Sequence, residues 1–110
     1  MNQQFSSSLP IPLPLKKPEE TYETIIVGAG PSGLTAAIYL ARAKIKTLIL
    51  EAEELGGKLN TIKLIENYPG FPSITGPELA QHMIKQAESA GAKILYPARV
   101  VSFELPEGLK

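Results

Sequence analysis

Three glycines with the spacing G-x-G-x-x-G constrain the fold of this chain more than any other feature. They are Gly28, Gly30 and Gly33, and they follow the β-branched run Thr24–Val27. This run predicts a short strand that is covered on both faces, as in a parallel sheet. Residues 34–43 are rich in alanine and leucine and contain no Gly or Pro, so they predict a helix. The sequence therefore predicts a strand, a tight turn and a helix in direct succession.

Each glycine has a separate mechanical purpose in such a unit. Gly28 permits the tight turn out of the strand, Gly30 lets the backbone approach a diphosphate, and Gly33 lets the helix pack on the strand. The start of the helix presents free N–H groups and the positive end of its dipole. Pro31 suits this first turn, where its missing N–H costs little. The loop is therefore expected to hold the diphosphate of a dinucleotide.

A second strand, residues 46–50, completes the unit and ends at an acidic residue. Glu51 lies roughly 20 residues after the glycines, where such units place a ribose-binding carboxylate. It would repel a 2′-phosphate, which argues against NADP in this part of the chain. The alternative is a glycine turn that only packs a helix on a sheet, and the acidic residue in register argues against it. The motif alone does not distinguish FAD from NAD, because both contain ADP.

Charge and cysteine content exclude several classes of function. Lys plus Arg is 11 and Asp plus Glu is 11, so the net charge is zero and offers no general attraction to nucleic acid or acidic membranes. The absence of cysteine excludes a dithiol redox centre, a disulfide scaffold or a thiolate metal site within these residues. No catalytic triad or metal-ligand cluster is indicated. With neither an apolar span nor a secretory signal, a cytoplasmic protein without nucleic-acid or membrane partners is expected, and transit to an organelle is the alternative.

The composition divides the chain into a tail and a domain. Residues 1–21 are rich in serine and proline, which predicts a disordered or polyproline-like tail. A docking peptide for a proline-binding domain is the alternative for this tail. Residues 22–110 predict one α/β domain with a Rossmann-like parallel sheet and flanking helices.

The second half of the domain predicts a loop, a helix and further strands. Residues 53–74 predict a long loop of the kind that serves a site. Thr75 and Glu78 have the spacing of a capping box, which predicts that a helix begins there. Residues 93–95 and 99–105 predict two more strands.

Several stretches together resemble the low-molecular-weight thioredoxin reductases, and specifically the N-terminal FAD-binding segment of that family, class II of the pyridine nucleotide-disulfide oxidoreductases. The resemblance covers residues 22–105. It implies a partial Rossmann-like FAD-binding fold, FAD as the cofactor and a flavoprotein oxidoreductase function. The matching stretches are GAGPSGLTAAIYLARA at 28–43, the acid Glu51, GGKL at 56–59, ENYPGFP at 66–72 and TGPEL at 75–79.

The resemblance also implies a role for each matching residue. Glu51 binds the adenosine ribose, the backbone near Val100 contacts the adenine, and Asn67 approaches the isoalloxazine ring. The residues that wrap the FAD diphosphate are Gly28, Ala29, Gly30, Pro31, Ser32 and Gly33. The residues on the ribityl and flavin side are Gly56, Gly57, Lys58 and Leu59.

Two of these assignments have open alternatives. The family usually has Gln where Lys58 stands, so this lysine could instead lie near a phosphate or point to solvent. From the residues alone, Gly56-Gly57 is equally an ordinary turn.

The complete enzymes of the resembled family are longer and add an NADPH domain, a Cys-x-x-Cys pair and a C-terminal return segment. In them NADPH reduces FAD, and FAD reduces a disulfide of a thioredoxin-like acceptor. The chain alone is expected to be inactive because it has neither the NADPH domain nor a dithiol. Alternatives are a non-catalytic dinucleotide-binding module, a truncated inactive remnant, or an adaptor that acts through its proline-rich tail.

The first strand is expected to have an open edge. In the resembled fold a strand of the return segment pairs beside it. Without that partner, strand Thr24–Val27 exposes backbone N–H and C=O groups that favour aggregation or pairing with a complementing chain or a second copy. Marginal stability is expected for the chain alone, with a gain on binding FAD or a complementing chain.

Overall fold

The computed structural model describes residues 20–105, so the predicted tail lies almost entirely outside the described residues. The three strands are parallel and ordered β1-β2-β3, which is one half of the doubly wound arrangement. This confirms the predicted α/β class with a parallel sheet. The elements are β1 Thr24–Val27, α1 Pro31–Arg42, β2 Thr47–Leu50, a 3₁₀ helix Gly57–Thr61, α2 Gly76–Ala90 and β3 Lys93–Leu95.

Helix α1 lies close to β1 because Gly33 has no side chain. A Cβ atom at Gly33 would lie 2.1 Å from the Gly28 carbonyl oxygen and 3.3 Å from Cγ2 of Ile26. One turn further along α1, Ala37 is fully buried. The third glycine of the motif therefore sets the distance between helix and strand, as the spacing predicted.

Helix α2 begins at the predicted capping box. Thr75 Oγ1 accepts a hydrogen bond from the Glu78 amide, and Glu78 Oε1 accepts one from the Thr75 amide, both at 3.1 Å. The first residue of α2, Gly76, packs against backbone: an added Cβ would lie 1.8 Å from the Leu59 carbonyl oxygen. Its amide also donates to the Ile62 carbonyl at 2.9 Å. Nothing in the sequence pattern indicated this second role of the helix start.

Both helices cover the same face of the sheet. Ile26, Ile49 and Ile94 point toward them and contribute to the hydrophobic core. On the opposite face, Ile25 is 54% exposed and Val27 is 68% exposed. The prediction that the first strand is covered on both faces is therefore wrong for the part of the chain that the structure describes, because α1 and α2 pack side by side above one face.

Strand β1 forms one edge of the sheet, with β2 on its other side. No strand among residues 20–105 pairs with the outer side of β1. Within this range the outer side of β1 is thus an unpaired edge, and its backbone groups lie next to the exposed side chains of Ile25 and Val27.

Two further expectations need correction. Residues 99–105 do not form a strand, and Val101 and Phe103 are strongly exposed. A strand forms only where a neighbour supplies its ladder of hydrogen bonds, and within the described range these residues have none. The connection 53–74 is more ordered than expected, since it contains the 3₁₀ helix and an antiparallel bridge between Ile65 and Ile74.

Alanine substitutions at Gly33 and Gly30 should have different effects on thermal stability, because only Gly33 packs against backbone. Gly33→Ala forces a Cβ against the Gly28 carbonyl and should cost about 2 kcal/mol, which lowers the thermal unfolding midpoint by about 10 °C. Gly30→Ala is the matched control, because a Cβ there meets nothing within 4 Å. Equal midpoints for the two variants would contradict this account of the helix–strand contact.

Candidate functional site

The glycine loop and Glu51 meet at the carboxyl-terminal edge of the sheet. Strands β1 and β2 run in register from Thr24 opposite Thr47 to Val27 opposite Leu50. The residues that follow them, Gly28 and Glu51, are therefore neighbours. Open α/β sheets bind ligands at this edge.

The backbone of Ala29 joins three segments through its N–H and its carbonyl. Its N–H donates to Glu51 Oε1 at 2.7 Å, and its carbonyl accepts from the Gly56 amide at 2.8 Å. Ala29 is fully buried. The amide that the resemblance assigns to the diphosphate thus donates to the carboxylate in this structure.

Glu51 is fixed through its backbone and its side chain. Its amide donates to the Leu95 carbonyl at 3.1 Å, and its carbonyl accepts from the Ala98 amide at 2.7 Å. Oε2 accepts from the amides of Glu53 and Glu54 at 2.8 and 3.3 Å. The carboxylate is therefore held at one position by the strand end, the glycine loop and its own following turn.

These amides also set the charge of Glu51. The hydrogen bond from Ala29, followed by that from Glu53, lowers the pKa of the Glu51 carboxyl, while burial acts in the opposite direction. The group is thus ionised at neutral pH and acts only as an acceptor. An ionised carboxylate has about four acceptor positions, so a hydroxyl donor can still bind to it.

The start of α1 offers space and donors to an anion. Gly30 caps the helix with φ −82° and no side-chain hydrogen bond, and a Cβ there would meet nothing within 4 Å. Pro31 has no N–H, whereas Ser32 and Gly33 lie in the first turn, where amides have no intrahelical partner. Open space above Gly30 and free amides beside it suit a diphosphate.

The Gly56-Gly57 turn closes one side of this space. Both residues have left-handed φ values, 99° and 56°, and a Cβ at Gly57 would lie 3.3 Å from the Gly30 Cα atom. Lys58 is exposed, whereas Leu59 is buried in the core. Of the four residues predicted here, Leu59 therefore contributes its side chain to the core, and its amide and carbonyl are hydrogen-bonded within the chain.

A cavity of about 210 Å³ lies beside Glu51. It contains Val100, which the resemblance places near an adenine. Sequence reasoning missed two charged residues of this cavity, Arg99 and Glu53, which form an ion pair at 3.4 Å. They are 46 residues apart, so no local pattern could have indicated the pair. The other lining residues include Val27, Gly28 and Leu50.

The ENYPGFP loop lies apart from this cavity. Residues 66–72 line a separate open cavity of about 560 Å³, and Asn67 is exposed. The Ile65–Ile74 bridge closes the base of the loop. The Phe71 ring packs against His82 of α2, with ring centroids 5.4 Å apart. The structure therefore does not bring Asn67 into the cavity that contains Glu51.

Two kinds of site or element are absent from residues 20–105. No three His, Cys, Asp or Glu side chains converge there to hold a metal ion. No helix in that range has the length and apolar character needed to cross a bilayer.

The sheet order, the glycine turn and the acid after β2 define a Rossmann-like domain. Residues 26–87 match the family model described as "NAD(P)-binding Rossmann-like domain". The chain belongs to this family.

Among individual proteins, the chain is similar to thioredoxin reductases. The thioredoxin reductase of Bacillus subtilis (strain 168) is 47% identical over 78 residues, which is 71% of this chain and 25% of that protein. The thioredoxin reductase of Aquifex aeolicus (strain VF5) is 49% identical over 82 residues, 74% of this chain and 25% of that protein.

The chain is also similar to solved structures of thioredoxin reductases. Thioredoxin reductase from Lactococcus lactis shares 45% identity with a TM-score of 0.65, over 68% of this chain and 25% of that one. The enzyme from Gloeobacter violaceus shares 38% identity with a TM-score of 0.71, over 78% of this chain and 27% of that one. The chain thus spans about a quarter of the length of the relatives it matches, as the resemblance to one segment of that family predicted.

Acid should weaken the contribution of Glu51 to folding. Since the folded-state pKa is lowered from 4.5, the ionised carboxylate stabilises the fold above about pH 4.5, and this stabilisation disappears as pH falls through the lowered pKa. The stability gap between wild type and Glu51→Gln should therefore be larger at pH 7 than at pH 3.5, as measured by urea unfolding.

The control for this prediction is Glu88→Gln, which removes an exposed carboxylate from α2 without touching the glycine loop. A gap between wild type and Glu51→Gln that stays constant from pH 7 to pH 3.5 would refute the assigned role of the carboxylate.

Proposed function

We propose that residues 22–110 are the ADP-binding part of an FAD-dependent oxidoreductase of the thioredoxin reductase type. One observation carries the proposal: the Ala29 peptide joins an ionised carboxylate to a loop with open space and free helix amides. Such a pair of groups suits the two polar parts of ADP, its diphosphate and its ribose. The choice of FAD rests on the resemblance and on relatives that are named thioredoxin reductases.

In this proposal each part of the site has a distinct task. The amides of Gly30, Ser32 and Gly33 bind the diphosphate, and Glu51 accepts hydrogen bonds from the ribose hydroxyls. The backbone at Val100 contacts the adenine. Together these groups hold and orient the nucleotide.

The flavin side of the proposed site is formed by the two later motifs. Gly56 and Gly57 let the ribityl chain pass close to the backbone, with Lys58 and Leu59 beside it. Asn67 faces the flavin ring once the cofactor bridges the two cavities. Bound FAD supplies the transfer of reducing equivalents between a nicotinamide and a disulfide.

The wider reaction is part of the same proposal. In a complete enzyme, NADPH reduces the FAD and a thioredoxin-like protein is the final acceptor. Since this chain matches about a quarter of the length of its relatives, we assign the NADPH site and the redox disulfide to polypeptide other than these 110 residues.

In this proposal, the additional polypeptide associates with the sheet at the edge strand β1. The open edge of β1 and the exposed side chains of Ile25 and Val27 provide a surface for strand addition by a complementing chain or a second copy. Burial of this surface would add stability that the present core lacks.

Purified protein should bind FAD through the glycine loop and Glu51. Titration calorimetry and the visible absorption spectrum measure this binding directly. In Gly30→Val the side chain fills the open space above the loop, and in Glu51→Ala the ribose acceptor is lost, so both variants should lose at least tenfold in affinity. FAD at about one hundred times its Kd should stabilise wild type by about 2.7 kcal/mol.

Glu88→Ala serves as the control and should bind FAD like wild type. Gly30→Val is the stricter of the two test variants, because its Cβ meets no protein atom within 4 Å and the fold should persist. Unchanged FAD affinity in both test variants would refute the proposed site.

The chain by itself should not catalyse NADPH-dependent disulfide reduction. It contains no cysteine, so electrons on a bound flavin have no protein dithiol to reduce. The assay follows NADPH oxidation with a soluble disulfide as acceptor, and free FAD at the same concentration sets the background. A rate that exceeds this background and scales with protein concentration would overturn the expectation.

A further inference from the structure

Arg99 stands at the cavity beside Glu51 and was not among the predicted site residues. The residues that line the cavity include the apolar strand residues Val27 and Leu50 and also Arg99. Among its lining residues Arg99 supplies the one cationic side chain, next to the carboxylates of Glu51 and Glu53.

The backbone next to Arg99 is held by a hydrogen bond to Glu51. The preceding residue, Ala98, donates its amide to the Glu51 carbonyl at 2.7 Å. At the other end of the side chain, the guanidinium pairs with Glu53 Oε2 at 3.4 Å. Both groups of this pair are largely exposed, so the ion pair contributes little to folding and remains free to adjust around a ligand.

The chemistry of this arrangement matches a purine base. A guanidinium is planar and weakly hydrated and stacks on aromatic faces, which an ammonium does not do as well. The ribose of a nucleotide held by Glu51 would direct its base into the adjoining cavity, between the apolar sheet wall and Arg99. The base would thus have one face on aliphatic side chains and the other toward the cation.

We propose that Arg99 stacks on the adenine of the bound nucleotide and that Glu53 positions the guanidinium for this contact. The inference rests on the proposed ADP-binding function and adds to it a residue that recognises the base. It also gives the exposed ion pair a purpose that folding alone does not require.

Nuclear magnetic resonance can observe the stack directly, because the chain has two arginines, Arg99 and Arg42. An adenine ring above a guanidinium shifts its Nε–H proton upfield. Titration with ADP should shift the Arg99 Nε–H signal and leave that of Arg42 unchanged, since Arg42 lies in the last turn of α1, roughly 18 Å along the helix from its start. An Arg42→Lys variant assigns the two signals.

Affinity measurements with ADP separate stacking from charge. Arg99→Ala should weaken ADP binding about three- to tenfold. Arg99→Lys keeps the charge but loses the planar group, so its affinity for ADP should fall nearly as much as that of Arg99→Ala. Arg42→Ala is the matched control and should bind like wild type.

The possible outcomes distinguish this inference from the proposed function. If wild type binds ADP but Arg99→Ala binds equally well, or if Arg99→Lys binds fully, stacking by Arg99 is refuted and the ADP site stands. An unshifted Arg99 Nε–H signal at saturating ADP refutes it as well. If wild type does not bind ADP, the proposed function itself fails.

Discussion

The hydrogen bond from the Ala29 amide to the Glu51 carboxylate is the interaction on which the candidate site depends. It joins the turn after β1 to the end of β2 at 2.7 Å, while the Ala29 carbonyl holds the Gly56 turn at 2.8 Å. The backbone of one buried residue, Ala29, thereby fixes the spacing of the two groups that would bind the diphosphate and the ribose. The site is thus organised before any ligand arrives, which reduces the entropy cost of binding.

Local sequence patterns predicted the part of the fold that depends on near neighbours. The glycine spacing, the β-branched run and the alanine-rich stretch were sufficient for β1, α1 and β2, because each element is specified by its own residues. The capping box at Thr75 and Glu78 was confirmed for the same reason. Glu51 was placed correctly at the loop because two parallel strands in register must bring their ends together.

Features that depend on distant partners were not predictable in the same way. A strand over residues 99–105 needs a neighbouring strand, and an apolar run does not reveal whether that neighbour belongs to the described residues. The Arg99–Glu53 pair joins residues 46 positions apart, and the exposure of Val27 depends on which face the helices cover. The uncovered second face of the sheet and the separate position of the ENYPGFP loop were also not predictable. Both depend on tertiary packing and not on local propensity.

Gly76 shows that a position outside the candidate site can be as restricted as one within it. Its missing side chain allows the main chain of α2 to rest on the main chain of the 3₁₀ helix, 1.8 Å from where a Cβ would stand. Backbone atoms cannot rotate out of the way, so no compensating side-chain change elsewhere would accommodate alanine. A mutational scan of this chain would therefore find intolerance at residue 76 that reflects the architecture and not the chemistry of the site.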